Sequence, residues 1–318
     1  MRRMAWVVVV LLVATPWTAS TQSVSVTDTL GRTVSVGQPV EHIASAYGIG
    51  TYYVYALGAG DRLVAAWYVG MKSLAQATAA SHAIEPRLGD LLCSGDPSVE
   101  DLLARGADLV LVDAAQYTSI ADQLEDLGVP ALLLAPETAQ GVLDTAHLLA
   151  SVLGEEARSR ADALAADFYE VYGRATVAVT GDPAESRPRV LFLGASLSSA
   201  AGGAMYQTQL VEAAGGISVS ADLPGAWNTV NLEQILMWDP DVVVIAPYGV
   251  VTAAEVLSSA DWQSVSAVRA GRVHKMPRIF GPMDTPLPES LLGVEWLAAV
   301  FHPERNLFDV RSDALAFY

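Results

Sequence analysis

The chain has 318 residues, 52% of them hydrophobic, one cysteine and a formal net charge of −17. That length suits two domains of ordinary size, and a lone cysteine excludes an internal disulfide. The acidic balance argues against nucleic acid or an anionic membrane surface as a partner; solubility or a cationic docking surface fits it better.

Residues 1–20 read as an export signal. Arg2 and Arg3 form the positive end, Met4–Ala14 is an apolar run too short to span a bilayer, and Thr18-Ala19-Ser20 offers a small-residue cleavage site. No cysteine lies near that point to carry a lipid anchor, so the mature chain is expected outside the inner membrane, in the periplasm, as a monomer.

Val24–Val36 alternates around Leu30-Gly31-Arg32, a hairpin pattern. A βα series follows: strands at Ile43–Ser45, Leu63–Trp67, Leu109–Val112 and Ala131–Leu134. The intervening helices are Ile49–Leu57, Val99–Arg105, Ile120–Leu127 and Gly141–Leu153. Tyr68–Gly89 is a long connection with no element assigned. Strands separated by helices predict a parallel sheet.

Glu155–Ala178 predicts one long helix. Ala157, Ala161, Leu164, Phe168, Val171 and Ala175 recur at steps of three or four and draw a single apolar stripe. Glu155 and Glu156 sit where the helix dipole favours acid. The rod spans roughly 36 Å. Beyond it the series resumes with strands at Val190–Leu193, Ser218–Ser220, Val242–Ile245 and Val273–Met276. The helices there are Tyr206–Ala213, Leu232–Met237, one beginning at Ala253–Leu257, and Glu289–Val300.

The two halves share a phrase. Ser98–Val112 (SVEDLLARGADLVLV) and Asn231–Ile245 (NLEQILMWDPDVVVI) align without a gap, pairing Glu100 with Glu233, Leu103 with Leu236 and Asp108 with Asp241. Each is a capped helix followed by a continuous apolar run, as a strand covered on both faces requires. The chain is therefore read as two Rossmann-like α/β lobes with parallel sheets, residues 24–153 and 181–318, joined by a single long helix over 154–180.

Motif reasoning finds no catalytic set: no G-x-S-x-G, no phosphate loop and no H-E-x-x-H. The five histidines are scattered and read as surface or capping residues. Open α/β sheets bind ligands beyond the carboxyl ends of their strands. Aromatic and polar residues gather there: Tyr47, Trp67, Tyr68, Gln116 and Tyr117 in the first half, then Ser196, Ser198, Met205, Tyr206, Trp227, Asn228 and Tyr248 in the second. Arg278 with Phe280 completes them. A cleft lined by Tyr47, Trp67, Tyr68, Tyr206, Trp227, Tyr248 and Arg278 suits a bulky, partly aromatic, anionic ligand.

Several phrases carry a family resemblance: VTDTLGRTVSVGQPVEHIAS at Val26–Ser45, ALGAGDRLVA at Ala56–Ala65, EAAGG at Glu212–Gly216, and GPMDTPLPESLLGVEWLAAVFHPE at Gly281–Glu304. With the repeated helix–strand phrase, they resemble the periplasmic substrate-binding proteins of ABC importers for ferric siderophores, haem and cobalamin. The resemblance implies a receptor without catalysis or cofactor of its own. Its cargo would be an iron complex, a ferric siderophore before haem or cobalamin, handed to an ABC permease with its ATPase. It also implies that Glu100 and Glu233 dock on arginines of that permease. An exported enzyme on the same scaffold is the rival reading, with Glu137 and Asp284 as the carboxylates to test; a ligand sensor is another.

Overall fold

The computed structural model describes residues 22–181 and 183–318; the export signal lies outside the described residues. The chain opens with a hairpin of β1 (Ser23–Thr27) and β2 (Thr33–Gly37). Asp28 holds its turn by accepting from the Leu30 and Arg32 amides and from the Arg32 guanidinium.

The N-lobe is built from β3 (Ile43–Ser45), α1 (Gly48–Ala56), β4 (Leu63–Ala66), α2 (Ala79–Ile84), α3 (Leu88–Leu91), α4 (Val99–Ala104), β5 (Leu109–Asp113), α5 (Thr118–Asp126), β6 (Ala131–Leu134) and α6 (Ala139–Leu153). Its four strands are parallel, in the order β4-β3-β5-β6. After α7 (Glu155–Val179) the C-lobe follows: β7 (Arg189–Leu193), β8 (Ser199–Ala201), α8 (Tyr206–Ala213), β9 (Ile217–Ser218), β10 (Trp227–Thr229), α9 (Leu232–Trp238), β11 (Val242–Ile245), α10 (Ala253–Ser258), α11 (Ser266–Arg269), β12 (Val273–Lys275), α12 (Ser290–Phe301) and α13 (Val310–Phe317).

The parallel strands of this lobe run β9-β7-β11-β12, the same order as in the first. The duplication read from the repeated phrase is thus a duplication of topology. One feature departs from the parallel expectation. β8 and β10 add an antiparallel edge on β7, so the C-lobe sheet is mixed. Such edges occur on otherwise parallel sheets. Four helices also go beyond the sequence reading, α11 among them. The unassigned connection folds into α2 and α3, and α13 closes the chain. Ser98 and Asn231 cap their helices by accepting from the Asp101 and Gln234 amides, while the full reciprocal boxes lie elsewhere, at Thr78/Ser81 and Thr252/Glu255.

The α7 stripe is the keystone of the packing. Its buried residues are Ala157, Ala161, Leu164, Phe168, Val171 and Ala175, the six drawn from the sequence. They join one apolar core that takes α1 and α6 from the N-lobe and α8 and α12 from the C-lobe. Each lobe has a second core on its outer side. Direct hydrogen bonds tie the lobes further. The Tyr53 hydroxyl donates to the Pro286 carbonyl at 3.1 Å, the Thr78 hydroxyl to Ile279 at 3.0 Å, and the Gln209 amide to Glu137 at 3.1 Å. A rod plus such ties permits small adjustments rather than a wide hinge.

Phe168 is 2% exposed and its neighbour Tyr169 is 64% exposed. Phe168→Ala is expected to cost about 3–5 kcal/mol in urea unfolding, whereas Tyr169→Ala changes stability by less than about 0.5 kcal/mol.

Candidate functional site in the interlobe cleft

The loops after the parallel strands β3, β4, β11 and β12 meet at the junction, Gly48 lying against Tyr68 and Val69, and Gly70 against Tyr248 and Arg278. One approach between the lobes is at Gly70, after β4. Its carbonyl accepts from Arg278 Nη1 at 3.4 Å. A β-carbon on Gly70 would lie 3.0 Å from Arg278 Nη1 and 3.8 Å from Tyr248 Cβ, and its φ of +67° already favours glycine. Gly70, Tyr248 and Arg278 therefore form the meeting point of the lobes.

Arg278 is only loosely satisfied. Nε donates to the Phe280 carbonyl at 3.4 Å, and Nη2 is buried with no acceptor among the described residues. The Tyr52 hydroxyl lies against the guanidinium, whose charge works against the upward push that burial gives that phenol. A buried donor left unmade costs roughly 1–3 kcal/mol, so this corner is prepared to receive an acceptor.

Backbone donors face the same corner. Tyr47 stands at the N-cap of α1 without a capping side chain, so the amides of Gly48, Ile49 and Gly50 have no intrahelical acceptor. A β-carbon on Gly48 would meet the Val69 nitrogen at 3.1 Å. Glycine at 48 thus lets the Tyr68–Val69 peptide lie against the start of α1, one residue from Gly70. The positive end of the α1 dipole thus lies at the Tyr68–Val69 peptide, one residue from the Gly70 contact with Arg278.

The structure does not bring all the sequence-predicted residues to this corner. Tyr47 is nearly buried, and burial with the nearby Asp113 and Glu137 carboxylates pushes its hydroxyl well above the usual range. Tyr248 stands beside Arg278, its hydroxyl facing Asp284 and Gln207. Trp227 lies in β10, its ring over Gly194 at the end of β7, where a β-carbon would sit 2.9 Å from the ring. Trp67 turns outward: its indole donates to the Gly95 carbonyl at 2.8 Å and packs on the outer core of the N-lobe. Tyr117 follows it, donating to Asp96 at 2.8 Å. Tyr68 is 5% exposed in a ring cluster with Tyr52, Tyr55 and Phe280, its hydroxyl 2.7 Å from that of Tyr55. Tyr206 is 2% exposed, bonded to Ser290 at 2.8 Å. These last two offer a ligand almost no surface.

The carboxylates Glu137 and Asp284 are engaged by different tyrosines. Asp284 is fully buried and accepts from Gln207 at 3.2 Å; burial pushes its carboxyl up to about 6. Among the described residues no group of histidine, cysteine or acidic side chains has the arrangement to hold a metal ion.

Sequence reasoning missed Glu289. It is 2% exposed, Oε2 accepts from the Gly281 amide at 2.7 Å, and Oε1 has no partner among the described residues. Burial pushes its carboxyl up to about 8, against the lowering effect of the Gly281 and Phe280 amides and of Arg278. Its signal was an acid just before the run Leu291–Phe301, which Glu295 alone interrupts with a charge.

Glu100 and Glu233 are exposed in the first turns of α4 and α9. Neither has a salt-bridge partner among the described residues. One helical turn on, Leu103 and Leu236 are each 37% exposed.

Residues 43–279 match the family described as periplasmic binding protein, and the chain belongs to that family. Its members bind a ligand outside the cytoplasmic membrane and work with an ABC permease; they are solute-binding proteins rather than enzymes. No helix among the described residues is long and apolar enough to cross a membrane. The chain is 25% identical over 246 residues to the molybdate-binding protein MolA of Haemophilus influenzae, covering 70% of this chain and 69% of that one. The molybdate-bound MolA structure superposes with a TM-score of 0.79 at 22% identity, over 92% of this chain and 96% of that one. A periplasmic solute-binding protein of Veillonella parvula gives 0.79 at 24% identity, over 93% and 92%. An Fe3+-hydroxamate transport protein of Saccharomonospora viridis gives 0.67 at 21%, over 87% and 98%. These structures share the bilobal fold.

Burial pushes the Glu289 carboxyl up to about 8, and Glu295 likewise to about 8. The folded state thus holds these protons more tightly than the unfolded chain, and stability is lost as pH rises from about 4.5 through 8. The thermal midpoint is expected to fall between pH 5 and 8.5. Glu289→Gln should flatten part of that fall and the double variant with Glu295→Gln more of it; equal slopes in all three would contradict the assignment.

Proposed function

We propose that this chain is the receptor of an ABC importer for a small oxyanion, held in the interlobe cleft by Arg278. The observation that carries this reading is the Arg278 guanidinium, whose buried Nη2 has no acceptor at the point where the lobes touch. Around it stand the free amides at the start of α1 and the Tyr248 ring. A charge-assisted fork of this kind matches a compact tetrahedral anion. The contact of Gly70 with Arg278 brings the two lobes close at this point, which favours a compact anion over a porphyrin or corrin. The name of the Haemophilus relative, a molybdate-binding protein, supports the same class.

The iron-complex reading keeps one supporting point: Tyr47 and Tyr248 flank the cleft as phenol rings, and a fold relative is described as an Fe3+-hydroxamate transport protein. Titration calorimetry with molybdate, tungstate, sulfate, phosphate and a ferric hydroxamate separates the two. The oxyanion reading expects saturable binding of a tetrahedral anion and roughly 10–100-fold weaker binding in Arg278→Gln, the worth of one charge-assisted bond. Tight binding of the ferric hydroxamate with no response to any oxyanion would overturn it in favour of an iron complex.

Glu100 and Glu233 are proposed as the paired contacts to the permease. Their exposure, their lack of partners and their equivalent positions in the two lobes support this. Ala at both is expected to abolish uptake in cells while ligand affinity of the purified protein stays within about twofold. A lost affinity with uptake scaling to it would instead assign them to the ligand site.

A further inference from the structure

The turn that carries Arg278 is held from behind by Glu289. Arg278 and Pro282 bridge antiparallel across that turn. Glu289 stands at the N-cap of α12 yet makes no capping bond to its own helix. Its carboxyl reaches the Gly281 amide instead, at 2.7 Å. A β-carbon on Gly281 would collide with Glu289 Oε2 and lie 3.0 Å from Tyr52 Cε1. Glycine at 281 therefore lets the acid and the Tyr52 ring close on the turn together. The neighbouring residues are held as well: the Ile279 carbonyl accepts from Thr78 at 3.0 Å, and the Phe280 amide donates to the Tyr318 hydroxyl at 3.4 Å.

Arg278 and Glu289 share this turn without pairing. The guanidinium donates to the Gly70 and Phe280 carbonyls, and Glu289 Oε1 is left without a partner among the described residues. The two groups still feel one another: the Arg278 charge works against the burial that pushes the Glu289 carboxyl up to about 8. A neutral acid in this place accepts from Gly281 and takes no share of the guanidinium charge. An ionised acid would attract that charge, and the attraction is strong where water is largely excluded. We infer that Glu289 is the positioning residue of the Arg278 site: protonated, it clamps the turn and leaves the guanidinium charge to a bound anion; ionised, it competes with that anion for the charge.

The inference rests on the proposed anion reading and couples a proton to it. The form that binds best has Glu289 protonated, so affinity is highest well below pH 8 and falls as the pH rises through that value. A bound anion repels the ionised carboxylate and raises the carboxyl further, so binding near that pH takes up a proton. The other titratable and charged groups around Glu289 are Tyr52 and Tyr55 from α1, Arg160 and Asp167 from α7, and Tyr318 beyond α13. Burial pushes the Tyr52 and Tyr55 phenols far above the range in which Glu289 titrates. Glu295, farther along α12, is also raised to about 8, but its charged neighbours are Asp313, Arg174 and Glu170. It is therefore an internal control.

The test titrates molybdate calorimetrically into the full mature chain at pH 6.5 and pH 9.5, between which the anion itself stays fully ionised. The unaltered protein is expected to bind roughly tenfold more weakly at the higher pH. Glu289→Gln keeps an acceptor for the Gly281 amide but has no proton to lose, and should bind equally at both; Glu295→Gln should retain the fall. At pH 8, buffers of different ionisation enthalpy should reveal proton uptake on binding, absent in Glu289→Gln. No fall in the unaltered protein, or a fall that persists in Glu289→Gln, would overturn the inference. The carbon-13 resonance of the Glu289 carboxyl in ligand-free protein separates this result from the anion reading itself. Arg278→Gln should move its titration midpoint upward. That move without binding of any oxyanion would uphold the Glu289–Arg278 coupling and remove only the oxyanion. A midpoint indifferent to Arg278→Gln would overturn the inference whatever the ligand.

Discussion

The whole arrangement depends on the buried stripe of α7. Six small or apolar residues on one face of a 25-residue helix seat it in a core that both lobes share. A helix that crosses between lobes and is buried on one side throughout cannot act as a loose tether. It fixes the relative placement of two sheets whose carboxyl ends would otherwise have no reason to face one another. At that enforced meeting Gly70 stands against Arg278 and Tyr248, and Gln209 reaches Glu137 across it.

The cleft corner follows from sequence choices that make close approach affordable. Glycine at 48 admits the Tyr68–Val69 peptide, and glycine at 70 admits Arg278. With side chains there the lobes would stand apart and the guanidinium would be solvated. Instead the cation is partly withdrawn from water with one nitrogen unbonded. Its nearest acid, Glu289, is pushed by burial toward the neutral form. A positive charge so placed, beside a helix N-terminus, is an electrostatic preference for anions built from local packing.

Much of the fold was legible because its signals are periodic. The runs LVLV and VVVI mark β5 and β11, the central strands; the α7 stripe marks its own buried face residue by residue. The repeated phrase revealed two related lobes before any strand order was known. What escaped lacks periodicity. α2 and α3 arise from an Ala-rich stretch with no stripe, and β8 and β10 are three-residue edges. The direction of strand-end aromatics was also hidden. Successive side chains at a strand end point to opposite faces, so Trp67 turns to the outer core while Tyr68 enters the inner one. Arg278 stood out because a cation among apolar residues needs a partner; Glu289 did not, because its neighbours in space are distant in sequence.

The most direct test of the account is an anomalous difference map from crystals of the protein soaked in molybdate, recorded at the molybdenum edge. The account predicts one strong peak within hydrogen-bonding distance of the Arg278 guanidinium, between it and the amides of Gly48 and Ile49. A peak elsewhere, or a cleft empty of molybdenum at saturating concentration, would contradict it.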